Sequence, residues 1–112
     1  ACVNTAIPLS IKHFITMNYT SVLQSIISDL NDKSKLWKDI VMITKTHGQP
    51  ATPSTFGKEI KVFSYRLDKQ FSLLKNITYY GKFGGATGNL NAHKLAFPNI
   101  NWIEFSENFL KE

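Results

Sequence analysis

Arginine and cysteine are almost missing from this chain: of 112 residues, Arg66 is the one arginine and Cys2 the one cysteine. A lone thiol excludes an internal disulfide and suits a reducing compartment such as the cytoplasm. A lone arginine argues against a nucleic-acid surface, which clusters its cations and favours the guanidinium for bidentate contacts. The thirteen Lys and Arg are scattered and never adjacent, so no nucleic-acid partner is expected. No apolar run approaches the roughly 18 residues of a membrane span, so no membrane partner is expected either. Metal-ligand spacing is also lacking. His13, His47 and His93 stand far apart, with no His/Cys/Asp group beside them, so no metal is expected. The chain has no initiating Met and stops within a helical pattern at Lys111-Glu112. It is therefore expected to be incomplete at both ends.

What is present is apolar. Hydrophobic residues make up 43% and charged ones only 19%, a balance that fits helices with more than one buried face. The net charge of +5 is a mild basic bias that suits an anionic small substrate. The sequons at Asn18 and Asn76 fall inside helical pattern and read as chance.

Apolar residues from Ile7 to Leu30 recur at threes and fours, which predicts a helix from about Thr5 to Leu30 with a wide apolar stripe. Pro8 fits such a helix only in its first turn or at a kink. Asn31-Asp32-Lys33-Ser34 reads as a break, with Ser34 capping a short second helix through Trp37, Ile40 and Val41. Met42 and Ile43 then run extended. Ser54 is the expected N-cap of a third helix, on which Phe56, Ile60, Phe63, Leu67, Phe71 and Leu74 form a core stripe as far as about Asn76. Lys58, Glu59, Lys61, Arg66, Asp68 and Lys69 fill its other faces. Four glycines between Gly81 and Gly88 rule out regular helix there. A last helix begins near Asn101. Strand signals are weak, and the class expected is all-α. Helices this long and this apolar ask for partners.

Two stretches resist a purely structural reading. "TKTHGQPATPSTFGKE", from Thr44 to Glu59, puts a histidine, glycine and proline breaks and several hydroxyls into one turn. A solvent loop has no need of His47 and Gln49, and a core has no use for so many polar groups. An imidazole there can be structural, or it can be aimed into a cleft for proton transfer. The glycine stretch has neither a Walker ending nor a dinucleotide fingerprint. Its Asn89, Asn91 and His93 either hold a turn through side-chain to backbone bonds or line a site.

"THGQPATPSTFGKE" (Thr46 to Glu59) and "GKFGGATGNLNAHKLAFPNINW" (Gly81 to Trp102) resemble the adenylosuccinate lyase family of the fumarase/aspartase superfamily. The resemblance covers the chain from about Asn4. It implies a long-helix bundle, with residues 1–112 forming part of its central helical domain. It implies a homotetramer whose active sites draw on three chains, and no cofactor. The implied chemistry is β-elimination of fumarate from a succinylated purine nucleotide, in purine biosynthesis. His47 matches the general acid of that family, while Thr46 and Gln49 match substrate-binding positions. The serine loop that carries the general base, a substrate-binding Thr-Ser-x-Asp segment and an N-terminal-domain histidine have no counterpart here. Three readings follow: a segment of such an enzyme, inactive alone; a non-catalytic helical assembly module; and a basic nucleic-acid module, disfavoured by the lone arginine.

Overall fold

The computed structural model describes residues 2–111. Helices dominate. In chain order they and the strands are α1 (Cys2–Phe14), a π-helical turn (Ile15–Tyr19), α2 (Thr20–Leu36), β1 (Val41–Thr46), β2 (Gln49–Thr55), α3 (Phe56–Lys75), α4 (Asn91–Ala96) and α5 (Trp102–Lys111). The chain forms two compact units, one of residues Met17–Ile77 and one of the residues up to Thr16 together with those from Thr78. Among the described residues no helix is long and apolar enough to cross a membrane.

The Met17–Ile77 unit is a helix pair. The buried residues of α2 are Ile27 and Ser34, and those of α3 are Gly57, Ser64 and Phe71. Both series step by seven, which is two helical turns, so each helix buries a single seam. Ser34 meets Gly57, while the earlier Asn31 meets the later Ser64, so the helices run antiparallel. Small residues stand at one end of the seam and Ile27 and Phe71 at the other. The expected core stripe of α3 is therefore only partly core: Phe71 is buried, Ile60, Leu67 and Leu74 are half-buried, and Phe56 and Phe63 are exposed.

Three local expectations need correction. Asn31–Ser34 is no break, because α2 continues to Leu36. The Asn31 Oδ1 accepts hydrogen bonds from the Ser64 hydroxyl at 2.9 Å and from Lys61 Nζ at 2.6 Å. Its side chain is thereby satisfied across the seam and does not compete with its own helix backbone. Ser34 is buried rather than a cap. The N-cap of α3 is Thr55, one residue later than expected; its hydroxyl accepts from Lys58 N–H at 3.3 Å, and Ser54 instead donates to Glu59. The expected first helix is two α-helices with the π turn between them, and Pro8 lies inside α1, beyond its first turn.

The expected class holds in its helical content but not in full. The chain is mostly helical but contains an antiparallel two-stranded sheet, β1–β2, where only an extended lead-in was expected.

In the other unit, the Thr5 hydroxyl donates to the Lys82 carbonyl (2.7 Å) and accepts from the Lys82 N–H (2.9 Å). That pins the start of the glycine stretch to α1. Phe83 packs against His93, Phe105 and Phe109 with ring centroids 5.3–5.5 Å apart. Helix α5 opens on a reciprocal cap. The Asn101 Oδ1 accepts from Glu104 N–H, and the Asn101 amide donates to the Glu104 carboxylate.

Candidate functional site

The hairpin's closing pair is Thr46 and Gln49, which leaves His47 and Gly48 as its two-residue loop. Both have positive φ, +52° and +76°. Two-residue loops of this kind match the right-handed twist of the strands they join, and the first position normally calls for Asn or Asp. Histidine is among the few side chains that enter the left-handed region with any frequency. Sequence alone does not flag His-Gly as a hairpin turn, since Asn-Gly or Asp-Gly is the usual signal.

Two prolines also disguise β2. Pro53 pairs with Ile43 and Pro50 with Lys45, so β2 spends three steps where β1 spends two. The extra residue is a bulge. Among the described residues each strand has one neighbour, so the missing proline N–H groups break no further ladder. Thr44 Oγ1 donates to the Thr52 carbonyl beside this irregularity.

The hairpin is anchored at its base. Phe56 N–H donates to the Ile40 carbonyl at 2.9 Å, and Gly57 N–H to the Trp37 carbonyl at 3.0 Å. The Trp37 and Phe56 rings pack against each other there, with centroids 5.0 Å apart and planes tilted by 36°. The strands thus project the turn from a fixed root. Thr46, His47 and Gln49 stand together at the exposed tip. The tip offers a titratable imidazole flanked by a hydroxyl and an amide, a set able to give a proton and hold polar substrate atoms.

The glycine stretch belongs to the other unit. The Thr87 hydroxyl donates to Asn89 Oδ1 at 2.8 Å, Asn91 N–H donates to that same oxygen at 3.2 Å, and Ala92 N–H donates to Asn91 Oδ1 at 2.9 Å. Asn89 and Asn91 therefore hold the turn. Gly84, Gly85 and His93 also line a cavity of about 430 Å³, so the second reading of this stretch has a geometric basis too. His93 stands 5.0 Å from the Trp102 ring, and its buried Nδ1 has no hydrogen-bond partner among the described residues. Leu90, unremarkable in sequence, is 8% exposed with φ +58°. Leu90 and His47 are the two non-glycine residues of positive φ among the described residues, and one falls in each of the two distinctive stretches. Backbone held in such regions clusters at functional sites.

A family model described as Lyase matches residues 2–109. The chain is 51% identical over 110 residues to adenylosuccinate lyase from Dictyostelium discoideum, an alignment covering 96% of this chain and 24% of that protein. It is 47% identical over 87 residues to adenylosuccinate lyase from Haemophilus influenzae, covering 78% of this chain and 19% of that protein. With the Vibrio cholerae adenylosuccinate lyase it shares 36% identity over 109 residues, covering 97% and 24%. The chain thus spans about a quarter of the length of these relatives, or less.

Proposed function

This chain belongs to the lyase family, and from that premise we propose that it forms the part of an adenylosuccinate lyase that carries the general acid. The reaction is β-elimination. A base supplied from outside this chain removes the proton on the carbon next to a carboxylate of the succinyl group. The electron pair spreads into that carboxylate and then forms the double bond of fumarate as the carbon–nitrogen bond breaks. His47, as imidazolium, gives its proton to the departing nitrogen. Adenylosuccinate so yields AMP and fumarate, and the succinyl-aminoimidazole-carboxamide ribotide yields its carboxamide and fumarate.

One observation supports this reading above the others. His47 sits at an exposed hairpin tip in a conformation that its neighbour Gly48 shares. A two-residue loop fixes the backbone there, and with it the direction of the Cα–Cβ bond that carries the imidazole. Thr46 and Gln49 pair across the loop beside it, and in this reading they are the groups that hold the substrate. Preorganisation of this kind is what positioned proton transfer requires.

The proposed setting is a cytoplasmic homotetramer built as a long-helix bundle, with this chain in its central helical domain. The exposed apolar side chains Ile7, Ile11, Val22, Ile26 and Phe63 support such an assembly. The same faces also suit a module that packs without catalysing. Fumarate release from adenylosuccinate by the complete polypeptide that carries this chain separates the two. A folded, oligomeric polypeptide that releases none would leave only the assembly reading.

A further inference from the structure

The face of the helix pair between α2 and α3 carries a second concave feature, remote from the His47 turn. A cleft of about 610 Å³ opens around Gly57 and is lined by Lys38, Lys58, Lys61 and Arg66. Among the described residues no carboxylate lines it. Among the described residues the one ion pair is Lys35–Asp32, so none of the four cations has a carboxylate partner there. Lys61 donates to Asn31. The cations are scattered in sequence, but Lys58, Lys61 and Arg66 lie three and then five apart on α3, and the turn after α2 brings Lys38 to meet them. The bare Cα of Gly57 lets that happen, since a side chain there would collide with Lys38.

Four like charges around one hollow repel each other when it is empty. The ligand that relieves this is an anion of several charges with many acceptor oxygens. Ser34, Thr55 and Tyr65 line the same wall and carry hydroxyls, donors of the kind such oxygens take. Thr55 pairs with Val41 at the root of the hairpin, while His47 is at its tip. Six residues of strand at ~3.4 Å each put roughly 20 Å between the two. The cleft is therefore not the turn's own substrate pocket.

We propose that this cleft is a binding site for a phosphoryl polyanion, held by Lys38, Lys58, Lys61 and Arg66. Such a ligand would tie the end of α2 to the start of α3, the junction from which the hairpin projects.

The test is calorimetric titration of the complete polypeptide with tripolyphosphate, ATP and inorganic phosphate at low salt. Tripolyphosphate should bind more tightly than inorganic phosphate, and added salt should weaken it. If ATP matches tripolyphosphate, the phosphate chain alone is the ligand; if ATP is tighter, a nucleotide is the source, and both results support the site. The double variant Lys38→Gln/Arg66→Gln should bind roughly 5- to 30-fold more weakly, as expected for two exposed charge contacts. The variant Lys12→Gln/Lys94→Gln loses the same charge elsewhere and should bind normally. No binding by the parent protein, or equal loss in both variants, would overturn the proposal. So would tighter binding of an RNA oligonucleotide or an acidic peptide than of tripolyphosphate. Circular dichroism confirms that each variant is folded, and binding is read without reference to lyase turnover, so the two proposals fail separately.

Discussion

Gly57 and Ser34 meet backbone to backbone: a Cβ on Gly57 would overlap the Ser34 carbonyl oxygen and stand 2.7 Å from the Lys38 Cα. This contact sets how closely α2 and α3 approach at the root of the hairpin. The Gly57 N–H meanwhile donates to the Trp37 carbonyl. One residue without a side chain thus fixes both the helix seam and the base from which His47 is projected.

Gly57→Ala should therefore destabilise the fold. Alanine is the better helix former by about 1 kcal/mol, so an uncrowded site would gain stability. Here overpacking against backbone should dominate, at a net cost of about 1–3 kcal/mol. Urea unfolding of the complete polypeptide reads the sign directly, and a stabilised variant would refute the close contact.

Asn31 makes a second test of the seam. Its oxygen takes bonds from Ser64, which is 1% exposed, and from Lys61. Asn31→Leu should cost about 1 kcal/mol, since Lys61 loses this acceptor to water and Ser64 is left with the Lys61 carbonyl at 3.2 Å. Asn31→Asp keeps an acceptor oxygen and gives Lys61 a charge partner, so at neutral pH it should stay within about 0.5 kcal/mol of the parent. Equal losses for the two would mean that volume, not hydrogen bonding, matters at this position.

The chain on its own should associate and should release no fumarate. Its helices leave Ile7, Ile11, Val22 and Ile26 exposed, and the base is proposed to come from outside this chain. Acid and base act as a unit, so the loss of one removes most of the rate. Light scattering that shows a monomer at micromolar concentrations would count against the first claim, and enzyme-like turnover against the second.

The helices were largely legible because their signal is local. The apolar spacing of α3 and its end at Asn76 could be read directly, and so could the start of α5, where Asn101 caps its own helix. Failures came where a distant residue decides. Asn31 to Ser34 look like a break until Ser64 and Lys61 supply partners from thirty or more residues away. The hairpin was hidden because β2 carries two prolines that only an edge strand accepts, and because His-Gly replaces the usual turn pair. Thr46, His47 and Gln49 were legible as a polar turn, since they fall within one run of four residues. The cationic cleft was not, because Lys38 joins Lys58, Lys61 and Arg66 only through the packing of two helices.

The sharpest prediction separates the shape of the turn from its chemistry. His47 has φ +52°, which asparagine tolerates at least as well. In the complete polypeptide, His47→Asn should keep the hairpin while removing the proposed proton donor. Turnover should fall by about 10²–10⁴-fold with little change in substrate affinity, because proton donation belongs to the transition state. His47→Ala should lose the same chemistry and strain the turn as well, so its rate should be no higher and its stability lower. Thr46→Ala should mainly weaken binding, since its hydroxyl is proposed to touch the ground-state substrate. Gly48→Ala leaves the imidazole in place but puts a side chain at φ +76°, and so should cost activity through misplacement. The decisive measurement is the split between kcat and KM for His47→Asn. If turnover stays near normal and only KM rises, the histidine holds substrate and does not donate the proton.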